Sequence, residues 1–176
     1  MLKHCKPDII VDRLEHLDQD DLWARGVRGI ILDLDNTLCA WHGSEVSPER
    51  QAWVARAQGR FKLCILSNTI KYRRLRRIGE LLGVPAVGCW GIGRKPMPAG
   101  VRAALRRTGT SPQETAMVGD QLFADVLGAN LNGLLSVWVP VLDRREFIST
   151  RLFRGLERRV LRRLGCPIPE RLAEGA

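Results

Sequence analysis

Short apolar runs at residues 29–34, 61–66, 86–90, 115–118 and 135–139 punctuate the chain. Each is too short for a helix, and the stretches between them are longer and helical in character. This alternation predicts β-α-β units that build a parallel sheet. Ser47-Pro48-Glu49 supplies an N-cap, a first-turn proline and a first-turn acid, so the pattern predicts a helix over 48–58. Gly83 closes a second helical segment that opens near Lys71, and residues 98–107 and 122–130 read as two more.

The 176 residues, 45% of them hydrophobic, suffice for one full core and are too few for two. The expectation is a single domain over 1–176, with its core at 27–142. Composition shifts only at the end. From Arg144 to Arg163 eight Arg stand against two Glu, while Leu152, Leu156, Val160 and Leu164 recur every fourth residue. That pattern predicts a basic amphipathic helix, an extension over 144–165.

A formal net charge of +9 and a pI near 10.0 point to an anionic partner: nucleic acid, an anionic membrane or a phosphorylated substrate. Five scattered cysteines without a C-x-x-C pair argue against a disulfide framework or a structural zinc site. The N-terminus lacks the apolar core of a signal peptide, and no window reads as a spanning helix, so the expectation is a soluble, cytoplasmic chain. Trp41 and Trp90 fall in strand-exit loops, where either interfacial anchoring or loop packing would suit them.

In an open parallel sheet, ligands bind beyond the carboxyl ends of the strands, so the chemistry belongs just after each apolar run. Those positions hold Asp33 and Asp35, then Ser67 and Asn68, then Lys95, then Asp120 and Asp125. Carboxylates that can hold a hard cation, with a hydroxyl and a lysine, form a set suited to magnesium-assisted phosphoryl transfer. Asp33 and Asp35, two apart in extended backbone, face the same side, so one can attack phosphorus while the other exchanges a proton with the leaving oxygen. Each element alone has a structural reading, as a turn, a helix cap or a solvated lysine. Their coincidence on four successive strand exits favours the chemical one.

In this order "DLDNTL", "LSNT", "KPMP" and "GDQLFAD" resemble motifs I to IV of the haloacid dehalogenase (HAD) superfamily of aspartate-nucleophile phosphatases. The flanking text "KPDIIVDRL", "RGIILDLDNTL", "VGDQLFADVLGAN" and "EFISTRLFRGLERRVLRRL" resembles the YqeG-type branch of subfamily IIIA, which includes phosphatidylglycerophosphate phosphatases. The similarity runs over 3–165 and implies a three-layer Rossmann-like sheet. It also implies that Asp33 is the nucleophile that becomes an aspartyl-phosphate, and Asp35 the general acid and then base. Mg2+ would lie between the Asp33 carboxylate, the Asp35 backbone carbonyl and Asp120, with Asp125 supporting the metal waters or Lys95. Ser67, Lys95 and the backbone of Asn68 would bind the phosphoryl oxygens.

The intervals between the motifs, 38–67 and 68–95, each have room for one helix and one strand and none for a cap domain. An open site suits a large or surface-bound substrate; together with the basic faces and the resemblance this makes phosphatidylglycerophosphate, met at the inner membrane face, the leading expectation. The basic C-terminal helix and the run Lys71-Tyr72-Arg73-Arg74 with Arg76 and Arg77 are candidate contacts to an anionic membrane surface. The leucine stripe of that helix is also suited to docking on the core. A soluble phosphomonoester is the alternative substrate. A nucleic-acid or ribosome-binding module is the alternative of another class, and it has no use for Asp33, Asp35, Lys95 and Asp120 together.

Overall fold

The computed structural model describes residues 2–140 and 148–166. Six parallel strands form one sheet: β1 (Ile9–Ile10), β2 (Gly29–Leu32), β3 (Lys62–Ser67), β4 (Ala86–Gly88), β5 (Thr115–Gly119) and β6 (Leu135–Trp138), in the order β1-β6-β5-β2-β3-β4. Around them lie α1 (Gln19–Ala24), α2 (Pro48–Gln58), α3 (Tyr72–Leu82), α4 (Pro98–Thr108), α5 (Leu127–Leu131) and α6 (Ile148–Arg163).

Every residue of β2 is buried, as expected of a strand covered on both faces. Its side chains alternate between two cores. Ile30 and Leu32 join Trp53 and Ala57 of α2 and Ile78 of α3 on one side, while Ile31 joins Val101 and Ala104 of α4 and Ala129 of α5 on the other. This is the parallel sheet that the apolar runs predict, in the three-layer arrangement that the resemblance implies. The order reverses at β2, with β3 and β4 on one side and β5, β6 and β1 on the other. Ligands in such sheets bind at this switch point.

The helix over 48–58 appears with the expected cap, as the Ser47 hydroxyl accepts from the Arg50 amide. Between the end of β2 and β4 lie only α2, β3 and α3, so among the described residues no cap domain is inserted over the carboxyl edge.

Three expectations need correction. The core begins before residue 27: Ile9–Ile10 adds an edge strand to β6, and Leu14 and Leu22 are fully buried. Two residues are too few to show a periodicity. The segment expected as one helix over 122–130 is a π-helical turn, Leu122–Val126, followed by the short α5. Of the C-terminal stripe, Val160 and Leu164 pack on the domain as the pattern expects, but Leu156 does not, and Leu161 joins them instead. Leu156 is 48% exposed, whereas Val160 and Leu161 pack on Cys5, Leu122, Val126 and Trp138. Leu152 and the segment 141–147, with Arg144 and Arg145, lie outside the described side chains. Arg159, Arg162 and Arg163 are exposed.

Candidate active site

The register of the sheet brings the strand exits together. Leu32 pairs with Ile65 on one side and Val118 on the other, and the Asp33 amide continues the ladder to the Val118 carbonyl at 2.9 Å. Asp33 therefore leaves β2 between Ser67 at the end of β3 and Asp120 after β5. A cleft of about 410 Å³ opens there, with Asp33, Asp35, Ser67, Asn68 and Lys95 in its wall.

Lys95 is the hub of the floor. Its ammonium contacts Asp33 Oδ1 and lies 2.7 Å from Asp125 Oδ1, and it donates to the Leu66 carbonyl at 2.8 Å. Asn68 fixes the lysine's backbone: its Oδ1 accepts from the Lys95 amide at 2.8 Å, and its Nδ2 donates to the Lys95 carbonyl at 3.2 Å. Burial opposes the charge of Lys95, but Asp125 and Asp33 hold its pKa above the ordinary lysine value.

Asp125 reaches the site because the chain after β5 turns tightly. The Asp125 amide donates to the Gln121 carbonyl at 2.8 Å, and the Gln121 amide donates back to Asp125 Oδ2 at 3.0 Å. The carboxylate then lies against Gly119, where a Cβ would sit 2.2 Å from it, so this position accepts only glycine. A π turn over Leu122–Val126 follows, a distortion that recurs at functional sites. Glu157 of α6 accepts from the Leu122 amide at 2.7 Å, and buried Trp138 donates its indole N–H to the Asp120 carbonyl at 2.9 Å.

The carboxylates of Asp33, Asp120 and Asp125 are all buried, and one oxygen of each lies within 4.8 Å of the others. Burial raises the Asp33 pKa well above the ordinary carboxylate range; Lys95 opposes this, and Asp125 and Asp120 add to it. Three carboxylates and one ammonium differ by the charge of a divalent cation. Asp33 Oδ2 is buried without a hydrogen-bond partner among the described residues. A donor set made only of oxygen, in an anionic pocket with an orphaned carboxylate oxygen, fits a hard divalent metal. The carboxylate of Asp35 lies outside this trio.

Asp35 occupies a different setting. Its Oδ1 accepts from the His42 amide at 3.1 Å and pairs with Arg74 Nη1 at 2.8 Å. Arg74 Nε also donates to the Gly43 carbonyl at 2.6 Å, which ties α3 to the loop after β2. The expectation that Arg74 belongs to a surface basic run is thus overturned: it is 8% exposed and turned inward. Arg76 pairs with Glu80 at 2.7 Å, and Lys71, Arg73 and Arg77 remain on the surface. Asn36 was also absent from the expected site. Its φ of 63° turns the loop, and its Nδ2 donates to Asp120 Oδ2 at 3.2 Å. Asparagine tolerates this left-handed conformation, and an Asn directly after the paired acids was the available signal.

All five cysteines are buried as free thiols. Burial pushes Cys39, beside this site, up to about 11 and Cys64 up to about 12.

The fold and site define a HAD-like phosphatase. A deoxy-D-mannose-octulosonate 8-phosphate phosphatase from Haemophilus influenzae superposes with a TM-score of 0.50 at 14% identity, covering 80% of this chain and 91% of its own, and shows the shared fold. The chain matches the family described as mitochondrial PGP phosphatase over residues 2–141. It is 37% identical over 161 residues to a probable phosphatase, YqeG, of Bacillus subtilis, covering 90% of this chain and 91% of the relative. It is 29% identical over 153 residues to the mitochondrial phosphatidylglycerophosphatase of Saccharomyces cerevisiae, covering 77% of each. The chain belongs to the PGP phosphatase family, and it is a phosphoric monoester hydrolase.

Proposed function

We propose that the protein is a Mg2+-dependent phosphatidylglycerophosphate phosphatase that works through an aspartyl-phosphate on Asp33. The observation that carries this reading is the placement of Asp33, held by Lys95 beside Asp120 and Asp125, on the floor of a cleft with no cap domain over it. Asp33, Asp120 and the Asp35 carbonyl would hold the ion, and Asp125 would steady Lys95. The bound cation supplies charge neutralisation between the phosphate and the attacking carboxylate.

Lys95 fixes Asp33 and, with Ser67 and the Asn68 amide, receives the phosphoryl oxygens. The Asp33 carboxylate forms a bond to phosphorus as the bond to the leaving alkoxide breaks, and Asp35 gives that oxygen its proton. Asp35, now ionised, takes a proton from the water that attacks the aspartyl-phosphate. Phosphate leaves and Asp33 is restored. Arg74 and the His42 amide, both on Asp35 Oδ1, hold Asp35 at the cleft wall.

Substrate choice rests on the uncapped cleft and on the family. The test is turnover of phosphatidylglycerophosphate in mixed micelles against a panel of sugar phosphates, nucleotides and phosphopeptides, with Mg2+ or with chelator, and with Asp33→Asn as control. The expected result is Mg2+-dependent release of phosphate from the lipid at the highest kcat/KM of the panel. An enzyme that ignores the lipid and cleaves a soluble phosphate well refutes the lipid reading. Activity unchanged by chelator refutes the metal.

A further inference from the structure

Six of the eleven large apolar side chains exposed among the described residues fall in three segments at the carboxyl edge of the sheet: Trp41 after β2, Ile70 and Tyr72 after β3, and Trp90, Ile92 and Met97 after β4. Single exposed apolar residues are ordinary, but this concentration around one cleft is not. Trp41, Ile70 and Trp90 line the mouth itself. Trp90 is 69% exposed and Ile92 96%, on a turn that reverses at Gly91 with φ 60° and stands clear of the fold. Such side chains add little to the stability of the isolated chain.

The segments after β3 and β4 carry charge of one sign, and the exposed Glu45 lies on the segment after β2. Residues 68–79 and 89–98 contain no acid, and within them Lys71, Arg73 and Arg94 are exposed. Aromatic and branched apolar side chains interleaved with cations match an interface of acyl chains and anionic headgroups. The position of the rim narrows the occupant further. A second copy of the chain or a protein seated on it would close the mouth that the substrate must enter. A bilayer whose own component is the substrate covers the rim and supplies the site together.

We propose that the rim of the cleft is a docking face for an anionic lipid bilayer, with Ile70, Trp90 and Ile92 entering the interface and Lys71, Arg73 and Arg94 meeting lipid phosphates. The inference rests on the lipid-substrate reading above. It places the membrane contact at the mouth of the site, where the paired acids face the headgroup layer. The arginines of α6 are not needed for it.

The test is co-sedimentation of the full chain with phosphatidylcholine vesicles with and without phosphatidylglycerol, none of them carrying a phosphomonoester. The wild type is expected to partition onto the anionic vesicles and to come off at high salt. Ile92→Asp, outside the cleft, is expected to weaken that partition at least about fivefold while kcat/KM on p-nitrophenyl phosphate stays within about twofold. Leu81→Asp, exposed near the far end of α3, serves as the control and should partition like the wild type.

Wild-type indifference to anionic vesicles, or equal loss in both variants, overturns the proposal. A dimer that Ile92→Asp dissociates assigns the face to a second copy and overturns it as well. A short-chain lipid phosphate dispersed as monomers separates the two readings. Its hydrolysis by an enzyme that ignores vesicles removes the docking face and keeps the lipid substrate. Vesicle binding through Ile92 with no hydrolysis of any lipid phosphate does the reverse.

Discussion

Two carboxylates two residues apart, Asp33 and Asp35, inhabit opposite electrostatic worlds. Around Asp33 one buried cation, Lys95, serves two acids with a third close by, so the cluster is anionic in a region that water barely reaches. Around Asp35 one cation, Arg74, serves one acid, 14% exposed at the cleft wall. The first setting calls for a further cation and suits a group that must approach a phosphate. The second is balanced without help and suits a group that passes protons to and from solvent-side atoms. Spacing in sequence makes the pair; the partners on α3 and on the loop after β4 give its two members different surroundings.

The contrast can be broken most forcefully at Asp33. Asp33→Asn should reduce turnover by about 10³-fold or more without lowering the melting temperature, because a like charge leaves the floor. Substantial residual hydrolysis in this variant would move the nucleophile elsewhere. Asp35→Asn should lower steady-state turnover by about 10²-fold. With p-nitrophenyl phosphate, whose leaving group needs no proton, it should still phosphorylate Asp33 and show a burst, measured by rapid quench. Absence of any burst would deny the two acids separate roles.

Lys95→Met should destabilise the protein by about 3–5 kcal/mol in metal-free urea unfolding, since buried carboxylates lose their shared cation. Added Mg2+ should recover part of that loss, because the ion binds only the folded cluster. A variant as stable as the wild type would mean that the floor is solvated. The smallest effect is expected at the wall. Arg74→Gln should cost about tenfold in kcat, roughly 1.4 kcal/mol, with KM little changed and most activity kept by Arg74→Lys. Equal losses in both substitutions would make Arg74 a packing residue.

The parallel strands were legible because burial on both faces writes them as apolar runs, and the acids, Ser67 and Lys95 were legible because the chemistry of an open sheet gathers at strand exits. What escaped has a common cause in three-dimensional context. Arg74 stands among Lys71, Arg73, Arg76 and Arg77, and nothing in composition tells an arginine turned inward from its solvated neighbours. The π turn depends on where Asp125 must point, which no local propensity encodes. Leu156 and Leu161 both lie on apolar positions of the same arginine-rich helix, and only the packing decides that Leu161 joins Val160 and Leu164 while Leu156 faces out. Glu157, one of two acids among eight arginines there, was a visible irregularity whose partner, the Leu122 amide, was not.

The loop from Asp120 to Asp125 is clasped from both directions along the chain. Cys5 packs beneath it from one side, and Val160 and Leu161 of α6 close over it, with Glu157 holding its first amide. During synthesis, then, the sheet and Asp33 can assemble while the acidic loop still lacks its cover. The loop reaches its final packing only after residue 161 has cleared the ribosome. A nascent chain stalled before that point carries Asp33 at the end of its strand with the Asp120–Asp125 loop uncovered, so the packing of that loop waits on translation of α6.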